Sequence, residues 1–140
     1  MMTDTAELYQ SLIVERSKAP RYAGRPDVFD VQGHGENAMC GDEVQVFVQR
    51  GGEVRHEAHG CAILAASADL MAQAVAGKTP AQVAEMRAAF EDVVGTGKEN
   101  PVLGDLNALA GVAEYRSRIR CATLPWAALG EALGEGQVNG

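Results

Sequence analysis

Residues 42–61 read DEVQVFVQRGGEVRHEAHGC, and the alternation inside this stretch decides the fold. Val44, Val46 and Val48 alternate with Gln45 and Gln49. After Arg50-Gly51-Gly52, Val54, His56 and Ala58 alternate with Arg55 and Glu57. A period of two is that of a strand with one buried face, and two such runs separated by glycines make a β-hairpin. Two registers are open: a two-residue Gly51-Gly52 loop, or a three-residue loop whose last glycine takes the left-handed position beside a bulge. Only the second places both apolar sets on one face, pairing Val48 with Val54 and Val46 with His56, so it is the register expected.

That register brings Asp42 opposite Gly60, and the alternative brings it opposite Cys61. Either way Asp42 and Cys61 become neighbours, because opposed residues in an antiparallel pair lie about 5 Å apart at Cα and the next position is still within side-chain reach. Cys40 lies just beyond, at the same end. Two sulfurs and a carboxylate, about twenty residues apart in sequence, thus converge.

Around the hairpin the pattern is mostly helical. Asp4 can cap a first helix with Glu7 at its third position, and Leu8, Tyr9, Leu12 and Ile13 form its stripe before Pro20 stops it. Residues 20–38, rich in Gly and Pro, read as irregular, with a brief strand around Val28 to Val31. From Ala62 to Ala76 nearly every residue is a good helix former, so Cys61 sits at a helix N-terminus, where free N–H groups favour a thiolate. Thr79-Pro80-Ala81-Gln82 combines a capping box with proline at the first helical position. Val83, Met86, Phe90, Val93 and Val94 are the core stripe of that helix, and Gly95-Thr96-Gly97 ends it. A shorter helix is expected over Leu103 to Gly111. A final one is expected after Cys121, with Leu124, Trp126, Leu129 and Leu133 as apolar positions, because Pro125 is tolerated only in a first turn. Cys121 would then also lie near a helix N-terminus. The fold class expected is α+β, a small antiparallel sheet of a hairpin plus a third strand packed against several helices. Residues 1–133 are expected to form one domain and 134–140 a disordered tail.

The chain has 140 residues, which allows a core without disulfides, and a formal charge of -7. A negative chain is a poor match for phosphate backbones or anionic membranes, so the expected partner is another protein, with neither nucleic acid nor membrane. The first residues lack the basic and apolar regions of a signal peptide, and no apolar run is long enough to span a bilayer. A soluble cytoplasmic protein is expected. Cys40, Cys61 and Cys121 are three widely spaced cysteines, a count that suits free or metal-bound thiols in a reducing compartment better than a disulfide framework. On the count alone, three small buried hydrophobes would be the simpler reading.

Other motifs dissolve on inspection. His34-Gly35-Glu36 has the H-x-E form of zinc deaminases, but the chain has no P-C-x-x-C partner. Gly95-Thr96-Gly97-Lys98 lacks both the earlier glycine and the following Ser or Thr of a phosphate loop, so it is a helix stop. His56, on the apolar face of the hairpin, reads as a hydrogen-bonded structural histidine, and His59 as a strand-end histidine rather than a stray metal ligand. Nothing around His34 assigns it a role.

Three blocks together carry a family resemblance: Cys40-Gly41-Asp42, Gly60-Cys61 followed by Ala65-Ala66-Ser67, and RIRCATLPWAAL from Arg118 to Leu129. In them the chain resembles the IscU/NifU-type iron-sulfur cluster assembly superfamily from the first helix to Leu133. Within it, the chain is most similar to the SufU branch. The extra helical segment between the second and third cysteines, the stretch LGDLNALAGV at 103–112, and Arg120 rather than histidine before Cys121 all point there.

The resemblance implies an IscU-like fold and one zinc ion held by Cys40, Asp42, Cys61 and Cys121. It implies Arg118 as the site arginine. Three thiolates and a carboxylate around a dication would leave about -2, and Arg116, Arg118 and Arg120, which flank Cys121, are placed to offset it. It further implies a zinc-dependent sulfur acceptor, a sulfurtransferase-type accessory protein. Such a protein takes persulfide sulfur on Cys40 from a pyridoxal-phosphate cysteine desulfurase of the SufS type and passes it toward a Suf assembly scaffold. The alternative implied is an IscU-like scaffold holding a 2Fe-2S cluster on the same ligands. Arg120 in place of histidine, and the lack of a Leu-Pro-Pro-Val-Lys stretch before Cys121, favour the sulfur carrier. A zinc hydrolase would need an open coordination position, which four protein ligands close.

Overall fold

The hairpin forms in the three-residue register: Val48 pairs with Val54, Val46 with His56 and Glu43 with His59. Its turn is built as glycine permits, with Gly51 and Gly52 at φ 94° and 88° and the Gly52 N–H donating to the Gln49 carbonyl. The structure, a computed structural model, describes residues 5–39 and 41–134. In chain order these form α1 (Thr5–Lys18), β1 (Val31–Asn37), β2 (Asp42–Val48), β3 (Val54–His59), α2 (Ala62–Val75), α3 (Pro80–Thr96), a 3₁₀ segment (Pro101–Glu114) and α4 (Arg116–Ala132). The antiparallel sheet has the order β1-β2-β3, which with the helices is the α+β class expected. Asp4 and, of the expected tail 134–140, residues 135–140 lie outside the described residues, while Gly134 donates its N–H to the Glu131 carbonyl at 3.0 Å. Among the described residues no helix is long and apolar enough to cross a membrane.

The third strand differs from expectation. It runs Val31–Asn37, after rather than around Val28, and is seven residues long. Its inward positions are Gly33, Gly35 and Asn37, whereas Gln32, His34 and Glu36 face out. A reading of hydrophobic periodicity sees no strand here, because the buried face has almost no side chains. The glycines are there because α4 lies directly on them. A Cβ on Gly33 would fall 1.8 Å from the Ala128 carbonyl oxygen, and one on Gly35 would fall 3.1 Å from Leu124. Val28 is exposed instead. Phe29 covers the outer face of the sheet, its ring 5.0 Å from that of buried Phe47, with the Arg25 guanidinium over both rings.

The helices follow their signals except at two places. The capping box at Thr79 and Gln82 forms, and Gly97 ends α3 in the left-handed conformation. Leu103 to Gly111 lies within a longer 3₁₀ segment broken at Gly104, whose backbone leaves helical space at φ 53°. The last helix begins at Arg116, so Pro125 lies in its interior and Cys121 is not at its N-terminus. An interior proline costs about 3 kcal/mol. Burial of Cys121, Ala122, Trp126, Ala128 and Leu129, with Trp126 stacked 5.3 Å from Phe90, offsets it.

His56 is the structural histidine expected, fully buried with Nε2 3.0 Å from Asp69 Oδ1. Asp69, in the middle of α2, is the partner that sequence reasoning missed. It also accepts from Arg16 Nη1 at 2.7 Å and from the backbone N–H groups of Arg21 and Tyr22 at 3.0 and 2.8 Å. Burial would raise the Asp69 carboxyl. The bonds from His56, from those two N–H groups and from Arg16 outweigh it and hold the group at about 2. The fold depends on this anion. Because its folded pKa lies below the usual carboxylate value of about 3.9, its contribution is complete above that value and is lost as pH falls toward about 2. Asp69→Asn should cost roughly 3 kcal/mol or more at neutral pH, since it leaves Arg16 buried without its counter-charge. Urea unfolding between pH 2 and 7 checks both points. The acid limb of the unaltered protein should be steeper than that of the variant.

Candidate metal centre

At one end of the sheet, three side chains from three elements meet. Asp42 is the first residue of β2 and is buried. Cys61 is the N-cap of α2 and is half-buried. Cys121 lies in the second turn of α4 and is buried. One carboxylate oxygen and two sulfurs lie within 4.8 Å of one another. Asp42 and Cys61 are the neighbours that the hairpin register requires.

The carboxylate is held by backbone. Cys61 makes no side-chain cap of its own helix. Its N–H donates instead to Asp42 Oδ1 at 3.2 Å, so the strand supplies the acceptor that the start of α2 lacks, and the helix dipole favours that negative charge. The other oxygen, Oδ2, stands 3.8 Å from Cys61 Sγ. Gly60 makes room for this arrangement, because a Cβ there would lie 2.2 Å from Asp42 Oδ1 and 3.0 Å from Leu64.

Burial pushes the Cys121 thiol up, and hydrogen bonds and charge from Asp42 and Cys61 push it further the same way. A metal ion among these groups reverses that balance and deprotonates the thiols. The donor set, one carboxylate and two thiols, suits a borderline-soft divalent ion such as zinc in tetrahedral coordination. Cys40 lies outside the described residues. Ala38, Met39 and Gly41, which flank it, form the turn joining β1 to β2, next to the Asn37–Asp42 pair.

Arg118 is exposed, one helical turn before Cys121 and on the same face. A hydrogen bond to Cys121, then the charges of Cys61 and Cys121, raise its pKa further. Arg116 and Arg120 are also exposed, at angles around the helix that differ from Arg118. His59 is the exposed last residue of β3, and the metal-binding group among the described residues contains no histidine. His34 is on the outer sheet face, 3.2 Å from Glu43.

Similarity to known proteins runs along most of the chain. A family model described as NifU-like N terminal domain matches residues 8–122. The chain is 37% identical over 138 residues to the zinc-dependent sulfurtransferase SufU of Bacillus subtilis (strain 168), covering 91% of this chain and 90% of that one. It is 36% identical over 134 residues to the iron-sulfur cluster assembly scaffold protein IscU of Streptococcus pyogenes serotype M1, covering 90% of this chain and 82% of that one. A solved structure of a SUF-system iron-sulfur cluster assembly scaffold protein from Fervidobacterium islandicum AW-1 superposes with a TM-score of 0.80. It is 33% identical and is matched over 93% of this chain and 99% of its own.

The place of Gly60 gives a direct check. Gly60→Ala forces the Asp42 carboxylate away from its cap position, and zinc affinity should fall at least about tenfold, as for other changes to groups that orient a ligand. Competition with a chromophoric chelator measures it, and an unchanged affinity would show that the carboxylate is not needed where it stands.

Proposed function

The chain belongs to the NifU-like N-terminal domain family, and on that footing we propose that it is a zinc-dependent sulfur acceptor for iron-sulfur cluster assembly, acting in the cytoplasm. It takes persulfide sulfur from a pyridoxal-phosphate cysteine desulfurase and passes it to a downstream assembly scaffold. The observation that carries this reading is the convergence of Asp42, Cys61 and Cys121 within 4.8 Å. The similarity to the Bacillus subtilis zinc-dependent sulfurtransferase along most of the chain supports it.

In this reading Cys40, Asp42, Cys61 and Cys121 hold the metal. When bound, zinc keeps the thiols deprotonated and clamps three separated segments. Four anionic ligands around a dication leave a site charge of about -2. Arg118, beside the thiols, offsets part of it and favours the approach of the anionic desulfurase persulfide.

Cys40 is the acceptor. Cys61 starts a packed helix and Cys121 is buried within one, whereas Cys40 is preceded by Met39, 94% exposed, and followed by Gly41 at φ 72°. A thiolate bound to metal is a subdued nucleophile, so Cys40 has to leave its ligand position before it reacts. Its thiolate attacks the outer sulfur of the desulfurase persulfide. A new S–S bond forms on Cys40, the old one breaks, and the desulfurase cysteine leaves as a thiolate, with no external oxidant or reductant.

The similarity to the Streptococcus pyogenes scaffold protein supports a second reading, in which the same ligands hold a 2Fe-2S cluster. Metal and sulfide analysis of untagged protein purified without oxygen separates the two. The sulfur carrier should contain about one zinc per chain and little iron. An iron- and sulfide-containing coloured protein would favour the scaffold. Chelation of the zinc should lower the melting temperature, as expected of a metal that joins three segments. After incubation with desulfurase and cysteine, alkylation and peptide mass spectrometry should find the extra sulfur on Cys40, and Cys40→Ser should abolish stimulation of cysteine turnover. Label on Cys121, with stimulation intact in Cys40→Ser, would overturn the assignment.

A further inference from the structure

Ser67 is fully buried in α2, the helix whose start carries Cys61. A serine inside a helix ordinarily satisfies its hydroxyl on its own helix, at the carbonyl four residues back, which here would be that of Ile63. Ser67 instead crosses to α4, where Oγ donates to the backbone carbonyl of Ala122 at 2.5 Å. Ala122 follows Cys121 directly.

The bond falls where α4 is weakest. Pro125 has no N–H, so the Cys121 carbonyl lacks the donor that a helix would supply four residues on. Interruptions of this kind are where helices kink. The Ser67 hydroxyl therefore ties α4 to α2 beside its interrupted turn. One helix presents Cys61 and the other presents Cys121.

We propose that Ser67 is a positioning residue for the metal centre, fixing the separation of the Cys61 and Cys121 sulfurs and thereby the geometry offered to the ion. The proposal rests on the reading of Asp42, Cys61 and Cys121 as ligands, and adds to it a residue that touches no metal. Its test uses the full chain loaded with zinc, for affinity, and with cobalt(II), whose thiolate charge-transfer and d–d bands report ligand geometry. Ser67→Ala should weaken zinc binding by about tenfold or more and shift the cobalt bands. Ser67→Thr and Ser67→Val have the same shape and differ only in the hydroxyl, so the Thr variant should bind more tightly than the Val variant and keep the cobalt bands nearer to their original positions. A serine that merely supports the fold would lower the melting temperature of the metal-free protein and leave affinity and bands in place. An Ala variant that matches the unaltered protein in both readouts, or Thr and Val variants that match each other, would overturn the proposal. Failure of the unaltered protein to take up either ion would overturn the ligand reading itself, and this proposal with it.

Discussion

A carboxylate with no exposure sits in the middle of a core helix, and the arrangement of the first half of the chain follows from the need to satisfy it. A buried charge is tolerated only when paired and hydrogen-bonded. Asp69 obtains its donors from three places: Arg16 at the end of α1, the backbone of Arg21 and Tyr22, and His56 on β3. Arg16 is itself fully buried and reaches Gln73 one turn further along α2. Meeting these demands together sets α1 against α2. It also lays residues 22–24 beside β3, where Gly24 donates to the His56 carbonyl and His56 donates back to that of Tyr22.

The same helix connects this anchor to the chemistry. From Asp69, α2 runs back toward its start at Cys61, so whatever fixes the helix also fixes that sulfur. The hairpin is held from its inner face by His56 and reaches the same end of the molecule with Asp42. Thus the carboxylate and the first thiol are located by one network, and Cys121 arrives independently on α4. The centre is a meeting of two assemblies, the α1–hairpin–α2 unit and the last helix, joined across their contact by apolar packing and by the Ser67 bond.

How much of this could be read from residues alone depended on whether a side chain announced its environment. The hairpin could be read because Val44, Val46, Val54 and His56 mark one face, and the register followed from them, along with the approach of Asp42 to Cys61. Strand β1 could not, since Gly33 and Gly35 mark a close backbone contact that only α4 explains. The start of α4 was misplaced by a sound local rule about Pro125 that tertiary burial overrides. The Asp69 network lay between these cases. A charge within the apolar run of α2 and a histidine on an apolar strand face were both visible, each an anomaly alone. That each resolves the other, along with an arginine more than fifty residues before Asp69, depends on packing rather than spacing.

The contact between β1 and α4 has a mechanical consequence. Most helix-on-sheet contacts are cushioned by side chains that can change rotamer and absorb small displacements. Here main chain rests on main chain at Gly33, with no such cushion. A shift or tilt of α4 is therefore transmitted to the sheet undamped, and Cys121 and Asp42 ride on the two bodies in contact. The joint works like a bearing with no clearance. The spacing of the Cys121 thiol and the Asp42 carboxylate is thereby set to backbone precision.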